Sequence, residues 1–428
     1  MKVYEKVYSF YVNQILNASL KPGDRMPSIR ESEKTLGVSK TSIETAYLQL
    51  AADGYIYSVE KIGYFVSETV SRFSKGEQYE DNFNTINKEN QSYQYDLSTI
   101  GEDKEVSCLD LWRRYMKSSL RQEDRLLAYA KNQGEDDLRQ EIASYVRKNR
   151  NIICSPEEIV IGAGFQNLLP ILISLIPGEK SISFPTKSFA DGAMTFKNAG
   201  FNVNYRDKES HVIYVTPSYM TKWGEVMTMK RRHELIEHAL KNNHLIIEDD
   251  YQNEFVFSSK PTPSLYAMTG GENTAFLGSF SRILLPSVRI SFLILPKGTK
   301  EMYNEIRDYY NQTASLAEQI ALAQFLRDGH LNRHIKKMKR FYEGKRKMMY
   351  KIMQKNFGDN ADIFMGDSGM EMGIKLQGAG IKERLEKSKV KLNIMEYGEN
   401  TATILISCSK IQKENIIPAV EKLNCSLQ

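Results

Sequence analysis

Residues 2 to 17 place Val3, Val7, Tyr8, Tyr11 and Ile15 at three- and four-residue spacings, the period of an amphipathic helix. KPGDRMPS breaks that pattern. A second short helix is predicted over Ile29 to Leu36 and stops at Gly37; Ser39 then stands at the N-cap of a third, which runs to about Asp53. Two strand-like pieces follow, YIYSV and GYFVS, separated by the polar tip Glu60-Lys61-Ile62, the pattern of a β-hairpin.

Beyond residue 69 the pattern changes twice. Residues 70–93 are polar, with no sustained apolar period, and read as a tether. From 94 to 428, strand-like runs such as EIVIGAG, HVIYVTP, HLIIEDD and AFLGSF alternate with helical stretches, which predicts an α/β domain built on a mainly parallel sheet. Active sites in such sheets lie at the carboxyl ends of strands. Three of these ends carry polar groups. GAGFQNLL opens a helix at Gly164, Phe165 and Gln166, where free backbone N–H groups could hold a phosphate. IIEDDYQNEF sets Glu248, Asp249, Asp250 and Tyr251 together, and GSFSR supplies Ser279 and Ser281. Taken singly, each is better explained as a helix cap or a loop, and only their order along one chain points to a site. The basic stretch 333–355 carries Ile335, Met338, Phe341, Tyr342, Met348, Met349 and Ile352 at helical spacing, so a long helix with a solvated charged face is expected there.

Composition narrows the classes. The formal net charge of +5 on 428 residues argues only weakly for a polyanionic partner, and residues 1–68 hold eight Lys and Arg against eight Asp and Glu. Four scattered cysteines without a CxxC pair suit neither a zinc site nor a disulfide framework, so no metal is expected. No run approaches the roughly 20 apolar residues that cross a bilayer, and a cytoplasmic chain with no membrane partner is expected.

Helix, turn, helix and hairpin in this order form a winged helix-turn-helix, in which the third helix enters the major groove while the wing and helix N-termini hold phosphates. The candidate DNA contacts are Lys40, Thr41, Ser42 and Tyr47 on that helix, Arg30 before it, and Lys61 and Gly63 in the wing. The stretch MPSIRESEKTLGVSKTSIETAYLQLAADGYIYSVEKIGYFV closely resembles the DNA-binding domain of GntR-type bacterial regulators.

The region from about Tyr95 to Leu423 resembles the fold-type I aminotransferase domain, which binds pyridoxal phosphate. Trp112, GEDDLRQEIASYV, SPEEIVIGAG, VIYVTPSYM, IIEDDYQNEF, GSFSRILLPSVRISFLILP and GHLNRHIKKMKRFYEGKR carry the likeness. A winged helix joined to such a domain is the layout of the MocR subfamily. The resemblance implies a smaller C-terminal α+β subdomain, a head-to-tail homodimer and double-stranded operator DNA as partner. It also implies that Asp249 pairs with the cofactor's pyridine nitrogen, that Tyr251 lies near its ring oxygen, and that Ser279, Ser281 and Arg289 sit at its phosphate.

The aldimine lysine of that family falls on Arg282. A guanidinium is delocalised and stays protonated, whereas aldimine formation needs a free amine. Further departures accompany it. Phe165 stands where a small or hydroxyl side chain is usual, SYMTKWG brings Tyr219, Lys222 and Trp223, the stacking aromatic falls near Lys187 or Phe189, and no arginine follows Arg384 to clamp a substrate carboxylate. Their coincidence favours natural loss over an engineered change. Covalent pyridoxal phosphate is therefore not expected, and the cofactor could be held only non-covalently. Two states of the cleft remain open: Arg282, Arg289, Lys187 and Lys222 could receive a small anionic effector, or Arg282 could pair internally with Asp249 or Asp250. A DNA-binding regulator is the leading reading, with a pyridoxal phosphate-dependent aminotransferase or pyridoxal phosphate-responsive regulator, and a ligand-free constitutive regulator, as alternatives.

Overall fold

The computed structural model describes residues 3–60, 62–68, 93–98, 100–250, 252–257 and 262–427. The expected contacts Lys61 and Tyr251, and all of the tether except Tyr93, lie outside the described residues. The chain divides into two compact units, Met1–Asn90 and Gln91–Gln428.

In the first unit, α1 (Val3–Leu16) buries Val7, Tyr11 and Ile15, one side chain per turn. Helix α2 (Ile29–Leu36) begins in a reciprocal cap, with Glu31 N–H donating to Ser28 Oγ and Ser28 N–H to Glu31 Oε2, and it ends at Gly37 in a left-handed conformation (φ 63°). Helix α3 (Lys40–Ala52) starts after Ser39 as expected, but the Ser39 hydroxyl meets Ser42 Oγ rather than a backbone N–H. Strands β1 (Ile56–Val59) and β2 (Gly63–Val66) pair antiparallel, closing the wing with Val59 opposite Gly63.

Tyr47, expected among the DNA contacts, is fully buried. The helical period puts it on the same face as Ile43, Ala46 and Leu50, and its hydroxyl meets Ser32 Oγ at 2.9 Å and donates to the Pro27 carbonyl at 2.8 Å. Its ring stands edge-on to Tyr11 and Tyr64, so this side chain builds the core.

The second unit holds a seven-stranded sheet in the order β4-β10-β9-β8-β7-β5-β6. The strands are β4 (Ile159–Ala163), β5 (Ser181–Phe184), β6 (Asn202–Tyr205), β7 (Val212–Val215), β8 (Leu245–Asp249), β9 (Thr274–Ser279) and β10 (Ile290–Ile294). Only β10 runs against the others, consistent with the expected mainly parallel sheet. A smaller antiparallel sheet, β11-β12-β15-β14, lies toward the C-terminus: β11 (Ala361–Phe364), β12 (Glu371–Gln377), β14 (Asn393–Tyr397) and β15 (Thr401–Ser407). Two short strands, β3 (Tyr95–Asp96) and β13 (Val390–Lys391), pair in parallel.

The long helix His330–Phe357 is amphipathic, but its charged face is not wholly solvated. Lys345 and Arg346 fall on the buried stripe with Met338, Tyr342 and Met349; the Lys345 ammonium reaches Asp103 Oδ2 at 2.5 Å, and Arg346 donates to the Gly366 carbonyl.

Two segments tie the sheets together. Gly366 N–H donates to the Trp223 carbonyl at 2.8 Å, Ser368 N–H to the Gly224 carbonyl at 2.9 Å, and Ser368 Oγ to the Ser218 carbonyl at 2.6 Å. Gly224 has φ +90°, and a Cβ there would lie 1.7 Å from the Ser368 carbonyl oxygen. Gly224→Ala must therefore push the two segments apart. We expect it to lower the stability of the large unit by at least about 1–3 kcal/mol, the usual scale of an overpacked site, measured as a drop in denaturant midpoint.

Candidate functional site

The carboxyl ends of β4, β7, β8 and β9 converge on a cavity of about 550 Å³. Alternation along β8 divides its acids. Glu248 points away from the cavity and accepts the Leu265 and Tyr266 N–H groups at 2.9 and 2.8 Å, at the start of the helix Leu265–Thr269. Asp249 lines the cavity and accepts the Tyr214 hydroxyl. Asp250 accepts Arg150 Nη2 at 2.7 Å with both side chains buried, and nearby Glu254 accepts the Tyr145 hydroxyl at 2.6 Å.

Two buried arginines, Arg150 and Arg232, lie near Glu248 and Asp250, but only Arg150 bonds one of the four carboxyl groups. Arg232, fully buried, spends its donors on the Met227, Pro263 and Pro217 carbonyls and Thr262 Oγ1. Burial is consequently the leading cause that pushes Glu248, Asp249 and Glu254 each up to about 7, and Asp250 is raised for the same reason.

Arg282 does not bond Asp249 or Asp250, the internal partners that one of the two readings of the cleft gave it. Its Nη2 donates to Glu371 Oε1 at 2.8 Å, with Glu371 almost completely buried. Glu371 Oε2 accepts the Tyr219 hydroxyl and the Met370 N–H, both at 3.0 Å. The reason lies in the chain crossing just described: residues 218–225 and 366–369 bind each other through backbone groups, which delivers the first residue of β12 to the end of β9. Sequence reading missed Glu371. The available signal was an acid heading the strand run EMGIKL, whose first four residues otherwise carry no charge.

Of the other positions singled out from sequence, Gly164, Phe165 and Tyr219 line the cavity, as do Ser279, Ser281 and Arg289. Gln166 and Lys187 do not line it; both are exposed. Lys187 opens the one-turn helix Lys187–Phe189, which turns Phe189 inward and Lys187 outward, so Phe189 is the aromatic wall. Lys222 Nζ lies 4.2 Å from the centre of that ring, a cation–π contact. Gly164 (φ +86°), also in the lining, precedes the helix Phe165–Ser174, and a Cβ on it would lie 2.9 Å from Arg289 Nη2. A guanidinium and a helix N-terminus thus meet at one point, where an anion gains from both. Ser281 Oγ donates to the Val288 carbonyl and Ser279 Oγ accepts Ser281 N–H.

In the first unit Arg30, Lys40 and Thr41 are exposed, and Ser42 is half-buried against Ser39. Arg25, not singled out from sequence, donates from Nη2 to the Ile62 carbonyl and passes beside Gly63, fastening the wing tip to the turn before α2.

Comparison with known proteins agrees with both units. Residues 3–66 match the family described as bacterial regulatory proteins, gntR family, and residues 101–393 match aminotransferase class I and II. The uncharacterized HTH-type transcriptional regulator YhdI of Bacillus subtilis is 31% identical over 98% of this chain and 95% of its own. The probable rhizopine catabolism regulatory protein MocR of Rhizobium meliloti is 26% identical over 87% of this chain and 80% of its own. Among solved structures, an archaeal alanine:glyoxylate aminotransferase superposes with a TM-score of 0.68 at 21% identity, covering 81% of this chain and 93% of that one, which shows the fold. Among the described residues no helix is long and apolar enough to cross a membrane.

The site yields two expectations. Breaking the pair with Arg282→Met leaves Glu371 charged and buried, a loss of about 3–5 kcal/mol; the double variant Arg282→Met/Glu371→Gln should recover much of that stability, as read by chemical denaturation. The second concerns Asp249, whose folded pKa lies above its unfolded value near 3.8. The native state then binds more protons than the unfolded one, so this group's contribution falls as pH rises from about 4 to about 7. The stability of the parent measured relative to Asp249→Asn should fall across that window, with a slope of at most about 1.4 kcal/mol per pH unit.

Proposed function

This chain belongs to the GntR/MocR-type transcriptional regulators with an aminotransferase-like domain, and we propose that its large domain regulates as a dimer without a covalent cofactor. The single observation that carries this reading is the Arg282–Glu371 pair. The family's aldimine position holds a group that cannot act as a free amine, and that group is already engaged by a carboxylate of the same chain. Among the described lining residues Lys222 is the one lysine, and its ammonium rests on Phe189. The residues present do not fit covalent pyridoxal phosphate, and we assign no aminotransferase activity.

The anion end, Arg289 above the N-terminus of Phe165–Ser174, supports a second element of the proposal: the cavity accepts a small anionic effector by charge-assisted hydrogen bonds. Such an effector changes the output only if it binds two arrangements of the DNA readers unequally. Dimerisation is supported by Leu120, Leu127 and Tyr129, large side chains exposed along ten residues of the second unit, while the head-to-tail arrangement follows the family likeness. Two readers in one particle gain avidity over one. The ligand-free alternative is favoured by the same ion pair, which partly fills the site; the two differ in whether added anions alter the protein.

Three measurements test the proposal. Purified protein incubated with pyridoxal phosphate and dialysed should retain no aldimine absorbance. A retained band that disappears in Lys222→Met would overturn the non-covalent reading. Inorganic phosphate should raise the melting temperature of the parent and not of Arg289→Ala; equal behaviour would favour the ligand-free scaffold. In DNA binding, Lys40→Ala and Arg30→Ala should each weaken affinity across sequences and reduce the log–log salt slope by about one.

A further inference from the structure

Helix α3 turns Ile43, Ala46, Tyr47 and Leu50 into the core, so the opposite stripe at three- and four-residue spacing carries Thr41, Thr45 and Leu48. Leu48 is 63% exposed, the most exposed large apolar side chain among the described residues of the first unit. Thr45 is also exposed, and its hydroxyl donates to the Thr41 carbonyl at 2.8 Å, so its proton is used inside the helix and its methyl is what remains for a partner. On the flank of this stripe, Lys40 and Glu44 lie 3.6 Å apart and offset one another's charge. The outward face of the helix is thus rich in methyl groups and nearly neutral.

A polar recognition helix reads bases by donors and acceptors, and this stripe offers few. The major groove has one apolar feature on its base edges, the C5-methyl of thymine, which Thr methyls and other apolar groups contact. We propose that Leu48 and Thr45 read thymine methyl groups, so that the operator is recognised at those base pairs by apolar contact. Lys40 and Arg30 then supply backbone attraction that carries no sequence information. The proposal rests on α3 lying in the major groove, and it adds which base the stripe selects.

The experiment uses the full-length protein. Duplexes are first selected from a random pool, and each thymine of the selected site is then replaced by deoxyuridine, which removes the methyl alone. At one or two thymines per half-site, affinity should fall about fourfold, the factor expected for one buried methyl-sized group. Leu48→Ala should bind the thymine and uracil duplexes equally at its position. Thr45→Ser, which removes a methyl and keeps the hydroxyl, should do the same at the neighbouring one. If the parent selects a site and no uracil substitution weakens it, the inference fails while the DNA-binding reading stands. If Leu48→Ala and Thr45→Ser weaken both duplex forms by the same factor, these residues act through protein packing and the inference fails too. A parent that selects no DNA would remove the reading on which the inference rests.

Discussion

A buried carboxylate with one cationic partner governs the large domain. Glu371 sits at the head of a strand in the small sheet, with almost no contact with water, and Arg282 sits just past the end of a strand in the large sheet. Neither charge is tolerable alone in that environment, since an unpaired buried ion costs several kcal/mol. The pair therefore demands that the two sheets stay in register. The backbone crossing of residues 218–225 with 366–369 supplies that register, and Gly224 is the point where no side chain fits. Tyr219 belongs to both: its ring packs at the crossing and its hydroxyl serves Glu371.

The acid cluster at the end of β8 follows from the same geometry. Successive strand residues point to opposite faces, so Glu248 and Asp249 leave on different sides, and the turn beyond sends Asp250 to Arg150. Arg282 is turned toward the small sheet and Arg232 is committed to carbonyl groups, so burial outweighs attraction at Asp249 and Glu254. Positive charge in the cavity is concentrated elsewhere, at Arg289 over Gly164 and at Lys222 on Phe189.

The first unit solves a different problem, that of a small core. Its hairpin and three helices close around a ladder of tyrosines, in which Tyr11, Tyr47 and Tyr64 stack edge to face and Ser32 joins two of the hydroxyls. Drawing Tyr47 inward leaves Thr41, Thr45 and Leu48 as the outward stripe. Core and reading surface are thus two faces of one helical period.

Sequence by itself determined the architecture. Three helices and a hairpin, a mainly parallel sheet, and the polar strand ends at Gly164, Asp249 and Ser279 were all legible, because local periodicity and turn residues act over a few positions and leave their mark in the order of the letters. The arginine at position 282 was legible too, since a side chain that offers no free amine is a matter of residue type. Tertiary structure decided the partnerships. That Arg282 meets Glu371, 89 residues away, depends on where a crossing between two loops places a strand. That Lys187 faces solvent while Phe189 faces the cavity depends on a single turn of helix. Tyr47 marks the boundary between the two kinds of knowledge: its polarity suggested a surface, its period already placed it with Ile43 and Leu50, and the hydrogen bonds to Ser32 and Pro27 that let a tyrosine be buried there come from distant parts of the chain.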